Sequence, residues 1–283
     1  MHGAMTGLSF NKMHGLGNDF VVFDGRRGAV HLDADQVRAV ANRRTGVGCD
    51  QLIILEAARN GRADVFVRIY NADGGEVFAC GNAARCVAAK IMDERGADEA
   101  MIETAHDTLR AHRAENGMIA VDMGPVRMAW NEIPLAEPRD TLHLGIALGP
   151  LADPVAVNVG NPHAVFFVDD AEAVDLGPLG SALERHELFP ERTNVEVVTV
   201  LSPKTLRVRV WERGVGITPA CGSGACAALV AANLRGLAAS AGAVILDGGT
   251  LEIERLDDGH VLMTGPVAAT FSGTLAPSLA SAS

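Results

Sequence analysis

The sequence predicts an α/β (α+β) protein with two pseudo-symmetric domains, each a curled, mostly antiparallel sheet around a central apolar helix. The main observation is a repeated motif, because an Ala-Cys-Gly triplet occurs at Cys80 and again at Cys221. In both copies a polar residue, Asn71 or Glu212, stands nine positions before the cysteine. An Ala-rich run with almost no polar face follows each triplet, and such a run is typical of a buried helix. The two helices would therefore occupy equivalent places in two halves.

The repeat continues upstream of the cysteines. The pair Gly17-Asn18 is matched by Gly160-Asn161, 143 positions later, while the two cysteines lie 141 positions apart. Between these markers, an Arg-Thr pair precedes a hydrophobic strand in each half. Three markers in the same order at nearly one offset indicate a duplicated domain, with a period too long for a solenoid repeat.

Composition restricts the class of protein. A chain of 283 residues is long enough for two domains of ordinary size. Its formal net charge of -11 disfavours nucleic acid as a partner, because a phosphate backbone would be repelled. No apolar run approaches the roughly 20 residues that span a bilayer, and the first residues lack the features of a signal peptide. We therefore expect a soluble, cytoplasmic protein without a membrane partner, whose five cysteines are free thiols.

The first domain is predicted to span residues 8–124, with residues 266–274 returning to it as a final strand. Residues 1–6 are left out of the fold prediction, because Met5 could equally be the start. Asp33 is predicted to cap a helix that carries Val37, Val40 and Ala41 on one face. Strands are predicted at 10–13, 20–23, 51–55, 63–70, 101–104, 108–113 and 118–122, and the apolar helix runs from Cys80 or Gly81 to about Glu94.

The second domain is predicted to span residues 125–265 and to repeat the same plan. Its first part, to about Pro154, is loose and proline-rich, so the domain boundary is placed near Pro125. A turn is predicted at 158–161, and helices are predicted at 176–186 and 222–234, the second of them apolar on nearly every side. Strands are predicted at 164–168, 195–200, 206–211, 244–246, 251–253 and 261–263, and residues 275–283 are predicted to form a loose tail.

The five cysteines fall into two groups. Cys49, Cys86 and Cys226 lie in or beside apolar segments and are interpreted as small core residues. Cys80 and Cys221 instead lie at helix starts, where unpaired N–H groups and the helix dipole favour a thiolate. These two thiols are therefore the candidates for chemistry.

Three functions are open for these thiols. Zinc would need Cys80 with Cys86 or Cys221 with Cys226, but neither pair has the spacing and neighbours of a structural zinc site. A redox pair of Cys80 with Cys221 would lack the short Cys-x-x-Cys loop. The third function is stereoinversion: if the halves face each other, one thiolate can remove a proton from a bound carbon while the opposite thiol returns a proton to the other face.

Stereoinversion next to a carboxylate needs strong stabilisation of the developing enediolate. The backbone N–H groups of Gly81, Asn82, Gly222 and Ser223, at the starts of the two predicted helices, are suited to supply it. The sequence contains no pyridoxal-lysine motif and no metal constellation that could act as an electron sink. The expected chemistry therefore uses no cofactor and no metal.

Eight segments of the chain together resemble the diaminopimelate epimerase family, in the same order and over nearly the whole length. They are Gly15-Leu16-Gly17-Asn18-Asp19-Phe20, Gly48-Cys49-Asp50-Gln51, Tyr70-Asn71-Ala72-Asp73-Gly74, Cys80-Gly81-Asn82-Ala83-Ala84-Arg85-Cys86, Gly160-Asn161-Pro162-His163, Arg192-Thr193-Asn194-Val195-Glu196, Glu212-Arg213-Gly214-Val215-Gly216 and Cys221-Gly222-Ser223-Gly224. The resemblance implies a PLP-independent isomerase that interconverts LL- and meso-2,6-diaminopimelate in the biosynthesis of lysine and peptidoglycan precursors. It also implies that Cys80 and Cys221 are the paired catalytic bases.

The resemblance further implies roles in substrate binding. Gly81-Asn82 and Gly222-Ser223 would hold the carboxylate at the reacting carbon, and Asn18 and Gln51 would line the pocket. The distal end of the substrate would be held by Asn71, Asn161, Asn194 and Arg213, which would bind its carboxylate, and by Glu212, which would bind its ammonium group. An arginine suits a planar carboxylate because its guanidinium presents two parallel donors. His163 and Glu212 are expected to help set the protonation of the thiols.

Two other functions stay open beside this one. A proline or hydroxyproline racemase with two cysteines would keep both thiols, but it would not need Arg213 and three asparagines to bind a second amino-acid end. A thiol redox or binding protein would show no exchange of hydrogen from any amino acid. The family resemblance also leads us to expect a homodimer.

Overall fold

The structure is a computed structural model that describes residues 7–77, 80–105, 107–276 and 279. Contacts within the chain divide it into two units, which are Met1–Val121 with Pro266–Ser283, and Asp122–Gly265. Residues 1–6, and all of the predicted tail except residues 275, 276 and 279, lie outside the described residues.

The secondary structure is dominated by strands, with four helices in the described part of the chain. The helices are α1 (Ala34–Ala41), α2 (Gly81–Arg95), α3 (Leu176–Glu184) and α4 (Gly222–Leu234). The strands of the first part are β1 (Ser9–Gly15), β2 (Asn18–Asp24), β3 (Gln51–Glu56), β4 (Val65–Asn71), β5 (Glu76–Val77), β6 (Glu99–Glu103), β7 (Thr108–Arg113) and β8 (Ile119–Pro125). The remaining strands are β9 (Ala147–Leu148), β10 (Leu151–Ala152), β11 (Val155–Asn158), β12 (Pro162–Phe167), β13 (Asn194–Ser202), β14 (Thr205–Glu212), β15 (Gly216–Thr218), β16 (Ala241–Leu246), β17 (Gly249–Arg255), β18 (His260–Gly265) and β19 (Ala268–Thr274).

The two units repeat one order of strand pairing. In the first unit β2 is parallel to β3, β3 is antiparallel to β4, and β4 is antiparallel to β5 and parallel to β6. In the second unit β12, β13, β14, β15 and β16 make the same five-strand arrangement with the same directions. An antiparallel hairpin precedes each arrangement, β1 with β2 and β11 with β12. β19 pairs with β1, so the last strand of the chain belongs to the first unit.

One buried helix lies within each unit, as the two apolar runs predict. α2 packs against β1, β6 and β7, and most of its side chains are buried. α4 contacts seven strands of the second unit and is buried on nearly every side. A helix that is covered on nearly every side is mostly apolar, in agreement with the Ala-rich sequence of both helices. Asn82 and Arg85 of α2 are buried polar exceptions. The predicted fold class, a mixed α/β protein dominated by sheet, is confirmed.

The shorter helices also pack against strands. Helix α1 contacts β3, and helix α3 contacts β13, β14 and β15. α1 begins with a capping box, in which the Asp33 carboxylate accepts from the amide of Gln36 and the Gln36 side chain accepts from the amide of Asp33. Val37, Val40 and Ala41 of this helix are buried, as the sequence predicts. α3 ends two residues earlier than predicted, at Glu184.

Some elements differ from the predictions. Val155–Asn158 forms a buried strand that the sequence analysis missed, because all four of its residues are buried and the alternation of a half-exposed strand is absent. The predicted loose segment before it contains a short β9–β10 ribbon. Ile133 and Leu151 of this region are fully buried in the core of the second unit, so the segment is packed although it has little regular structure.

The tail prediction is wrong at its first residue. The Leu275 side chain is buried in a core cluster of the first unit, and its amide donates to the carbonyl of Leu8 at 2.9 Å. Leu279 packs against the same cluster. Leu275 and Leu279 are thus packed against the first unit.

In the part of the chain that the structure describes, no helix combines the length and the apolar character needed to cross a membrane.

Candidate active site

Cys80 lies at the N-terminus of α2, as the sequence predicts, and it is the N-cap residue of that helix. The Cys80 thiol donates to Oδ1 of Asn18 at 3.8 Å, and Nδ2 of Asn82 donates to the same oxygen at 3.2 Å. Asn18 begins β2, directly after a glycine turn, so the hairpin and the helix meet at this oxygen. Gly81 and Asn82 are the first two residues of α2, where backbone N–H groups have no partner within the helix. Four of the predicted site residues are therefore together.

Gln51 and Asn71 form a second group in the first unit. They are directly opposite each other in the β3–β4 pairing, and Nε2 of Gln51 donates to Oδ1 of Asn71 at 2.9 Å. Oε1 of Gln51 is buried and has no hydrogen-bond partner among the described residues. Since buried polar atoms are normally hydrogen-bonded, this oxygen is an acceptor that a ligand N–H group could satisfy.

A network of charged side chains holds Asn18 through its hydrogen bond to Asp50. Nδ2 of Asn18 donates to the Asp50 carboxylate at 3.1 Å, and Arg43 joins Asp50 to Asp19 with contacts of 2.7 and 2.6 Å. Lys12 also contacts Asp19, at 2.5 Å. Burial works to raise the pKa of Asp19, but the hydrogen bonds from Arg43 and Lys12 outweigh it and hold that pKa well below its usual range. The Asp19 carboxylate therefore stays ionised, and its contacts fix the end of β2 that carries Asn18.

Cys221 is the N-cap residue of α4 and is buried, in agreement with the predicted repeat. Its sulfur accepts from the amide of Gly224 at 3.4 Å and lies 3.5 Å from Oγ of Ser223. Gly222 and Ser223 form the first turn of the helix, in the same position as Gly81 and Asn82 of α2. Both units thus present a thiol beside a set of helical N–H groups.

The surroundings of Cys221 oppose the thiolate that a helix N-terminus favours. Burial raises the pKa of this thiol well above its ordinary value, and the nearby carboxylates of Glu212 and Glu196 raise it further. The hydrogen bonds from Ser223 and Gly224 oppose the shift without reversing it. The sequence revealed the helix N-terminus but not the burial or the second carboxylate, and these dominate. Cys221 is therefore a thiol in this state.

Glu212 lies at the end of β14 and is half-buried. Thr218 donates a short hydrogen bond to Oε1 of Glu212. Burial raises the pKa of Glu212, while hydrogen bonds from Thr218 and Cys221 and the charge of His163 oppose this shift. The carboxyl group and the Cys221 thiol are thus electrostatically coupled, as the hypothesis of a role in thiol protonation requires.

His163 is fully buried between two oxygen atoms. Its Nδ1 lies 2.7 Å from Oε1 of Glu196, and its Nε2 lies 2.7 Å from Oδ1 of Asn161. The sequence analysis assigned no role to Glu196, although the residue lies inside one of the family-like segments. The detectable signal was a glutamate within the apolar run from Val195 to Val198. A charged side chain in a strand that is buried on both faces needs a partner.

Asn194 and Arg213 are also brought together, but mainly through the backbone. Oδ1 of Asn194 accepts from the amide of Arg213 at 2.9 Å, and its Nδ2 donates to the carbonyl of Pro162 at 2.8 Å. The Arg213 guanidinium donates to the carbonyl of Glu191 at 3.1 Å. Asn194 therefore fixes the loop that carries Arg213, and its contact with a substrate carboxylate stays a prediction.

The other three cysteines are core residues, as predicted. Cys49, Cys86 and Cys226 are buried. Burial raises the pKa of Cys49 to about 11 and that of Cys86 to about 12. Within residues 7–77, 80–105, 107–276 and 279, no group of three or more His, Cys, Asp or Glu side chains is placed to hold a metal ion.

The fold occurs in known isomerases. A hydroxyproline epimerase from Agrobacterium vitis has a similar structure, with a TM-score of 0.68 at 16% identity over 95% of this chain and 91% of that one. At this level of identity the comparison shows the fold alone. The fold is thus one that an epimerase has, and in this chain each unit has a thiol at the start of its buried helix.

Sequence comparison gives the family. The profile described as Diaminopimelate epimerase matches residues 10–129 and 155–270. A diaminopimelate epimerase of Rhodospirillum centenum is 57% identical over 95% of this chain and 93% of the relative, and one of Phenylobacterium zucineum is 53% identical over 96% and 99%. The chain belongs to the diaminopimelate epimerase family and is an isomerase.

Proposed function

We propose that this chain interconverts LL- and meso-2,6-diaminopimelate by proton exchange between two thiols, without a cofactor. The observation that carries the proposal is the equivalent position of Cys80 and Cys221, each of which is the N-cap residue of the buried helix of its unit. The family membership supports the same reaction.

The proposed reaction begins with one cysteine as thiolate and the other as thiol. The thiolate takes the α-hydrogen as a proton, and the electron pair of the C–H bond moves into an enediolate on the substrate carboxylate. Backbone N–H groups at the two helix starts stabilise that charge. The opposite thiol then gives its proton to the other face of the carbon. Burial and the carboxylates of Glu212 and Glu196 raise the pKa of Cys221, which suits this thiol to the role of proton donor.

The side chains around each thiol account for substrate binding in this proposal. The reacting carboxylate lies against Gly81-Asn82 and Gly222-Ser223, while Asn18 and Gln51 line the pocket. The unsatisfied Oε1 of Gln51 is an acceptor for the neighbouring ammonium group. The distal amino-acid end is bound by Asn71, Asn161, Asn194, Glu212 and Arg213. Because the distal end does not react, its contacts decide which amino acid is accepted.

The test is proton NMR of the reduced protein with LL-diaminopimelate in D2O. We expect meso product with deuterium at one α-carbon, because the returned proton comes from a thiol that has exchanged with solvent. Cys80→Ala and Cys221→Ala are the two active-site controls, and each is expected to abolish epimerisation. L-proline is run in parallel and is expected to show no exchange.

The alternatives give different results in the same experiment. Exchange with L-proline alone would retain the two-thiol chemistry and overturn the substrate. No exchange with either amino acid, in protein shown to be folded and reduced, would favour a thiol redox or binding function.

Cytoplasmic location and a homodimer also stay predictions. Sedimentation of the purified protein at several concentrations tests whether it is a homodimer.

A further inference from the structure

His163 and Glu196 form a pair without any exposed side-chain surface. The contact between Nδ1 and Oε1 is 2.7 Å, and the second carboxylate oxygen, Oε2, is buried without a hydrogen-bond partner among the described residues. Buried carboxylates are costly unless they are paired and fully hydrogen-bonded, so half of this group is uncompensated. The amide of a glutamine has the same shape and a smaller free-energy cost of burial, which indicates that the carboxylate has a function.

The hydrogen bonds fix the number of protons on the pair. Nε2 of His163 faces the amide oxygen of Asn161 at 2.7 Å, so Nε2 carries a proton. On the other side of the ring, one proton lies between Nδ1 and Oε1 of Glu196, whichever atom holds it. The pair therefore has no net charge, either as imidazolium and carboxylate or as imidazole and carboxylic acid. Burial raises the pKa of Glu196, which favours sharing of this proton.

The pair lies next to the Cys221 thiol. A methyl group placed on Gly224 would lie 3.0 Å from Oε1 of Glu196 and 3.3 Å from Sγ of Cys221, so these two atoms flank one backbone position at the start of α4. The other ionisable group that faces the pair is Glu212 at the end of β14. Across the sheet, Glu196 is opposite Val210 on β14 and Val165 on β12, which are uncharged.

We infer that Glu196 is a positioning residue, which holds the His163 ring through Nδ1 and keeps a proton on Nε2 at the Asn161 side. Asn161 is half-buried, whereas Glu196 and His163 are fully buried, so the ring reaches the site through its edge at Asn161, while Glu196 itself lies beside Cys221. In both forms of the pair the shared proton stays between Nδ1 and Oε1, so Nε2 remains a donor at the ring edge. The catalytic part of this inference depends on the proposed epimerase function, but the proton arrangement does not.

The test is Glu196→Gln, which keeps the size of the side chain and removes the carboxylate. Kinetically, we expect kcat to fall about 10- to 100-fold, within the range of acid–base contributions, with KM changed less than about twofold. The KM of Glu196→Gln is expected to stay close to the wild-type value because the Glu196 side chain has no exposed surface that could contact a substrate. The matched control is Asp122→Asn, which removes the carboxylate from another histidine pair, His260 with Asp122 at 2.9 Å, outside the candidate site. That control is expected to keep wild-type kcat and KM.

A second readout does not require activity. Nitrogen NMR of histidine-labelled, substrate-free protein is expected to show a proton shared at Nδ1 of His163 in the wild type, and a bare acceptor nitrogen in Glu196→Gln. Asp122→Asn should leave the His163 signals in place. The same Nδ1 signal in the wild type and in Glu196→Gln, or an unchanged kcat in Glu196→Gln, would overturn the inference. If wild-type protein gave no epimerisation while the Nδ1 signal shifted as expected, the proposed function would fail and the proton arrangement would stand.

Discussion

The amide of Gly224 donates a hydrogen bond of 3.4 Å to the sulfur of Cys221. A glycine is required at this position for a steric reason, since its backbone is helical and does not need a left-handed conformation. A side chain would press on both Cys221 and Glu196, at distances of 3.3 and 3.0 Å. The amide of this residue therefore favours the thiolate form of Cys221, and the absence of a side chain leaves room for the buried carboxylate.

Gly224→Ala is expected to lower kcat at least about 10-fold with little change in melting temperature. The added methyl group displaces the thiol or the carboxylate, and small displacements of reacting groups are costly. Helix propensity acts in the opposite direction, because alanine is favoured over glycine by about 1 kcal/mol within a helix. Turnover of LL-diaminopimelate and thermal unfolding measure the two effects separately.

The control for this substitution is Gly177→Ala in α3. A methyl group there would meet only Asp175, at 3.8 Å, which is ordinary contact. It should leave kcat unchanged. Wild-type kcat in Gly224→Ala would show that the space beside Cys221 does not affect catalysis.

Alkylation of Cys221 is expected to rise with pH through a midpoint above the ordinary thiol value of about 8.5. Burial and the carboxylates of Glu212 and Glu196 raise the pKa, so the group is protonated and unreactive at neutral pH. Glu212→Gln should move the midpoint to lower pH, because one negative charge is removed. The rate is measured by mass spectrometry of the Cys221 peptide after timed treatment with iodoacetamide.

The comparison for Glu212→Gln is Glu252→Gln, which changes an exposed glutamate on β17. This variant has the same change in net charge and should keep the wild-type midpoint. A wild-type midpoint below about 8.5 would mean that the helix N-terminus dominates the thiol after all.

The sequence predicts the parts of this site that depend on local pattern. The starts of α2 and α4 follow from two apolar runs of helical length, and the repeat then places Asn71 and Glu212 at equivalent strand ends. The thiol state of Cys221 could not be predicted, because it depends on burial and on a carboxylate that comes from another strand. Glu196 was missed for a related reason, since only the tertiary structure brings it to His163.

In the fold, too, features set by local sequence pattern could be predicted, whereas those that depend on tertiary contacts could not. The helix α1 was predicted because a capping aspartate, Asp33, precedes apolar residues at helical spacing, and the structure adds that Gln36 completes a capping box. β11 was not predicted, because a strand buried on both faces has no alternation that distinguishes it from other short apolar runs. Leu275 was assigned to a loose tail because its burial depends on a core formed by much earlier residues.

Asp33→Ala is expected to lower the free energy of unfolding by about 1 kcal/mol. It removes the half of the capping box in which the carboxylate accepts from the amide of Gln36, leaving that amide without its side-chain acceptor. Denaturant unfolding at neutral pH measures the change. Asp35→Ala is the control, because its contact with Arg38 joins two exposed side chains and is expected to contribute less than about 0.5 kcal/mol. Equal losses in both variants would contradict a specific role of the cap.

The final prediction concerns the acid stability of the network behind Asn18. The folded-state pKa of Asp19 is lowered, so its carboxylate stabilises the fold at pH values above the unfolded-state pKa near 3.8. That stabilisation is lost as the pH falls through 3.8 and towards the lower folded-state value. In Asp19→Asn the group cannot titrate. The stability advantage of the wild type over this variant should therefore shrink by about 1 kcal/mol between pH 6 and pH 3.

The measurement is denaturant unfolding of wild type and Asp19→Asn at several pH values in that window. Asp257→Asn, at an exposed aspartate, controls for the general effect of removing one carboxylate. Its difference from the wild type should stay nearly constant with pH. An equally constant difference in the free energy of unfolding between the wild type and Asp19→Asn would contradict the prediction. It would mean that Arg43 and Lys12 do not hold the Asp19 carboxylate in its ionised form.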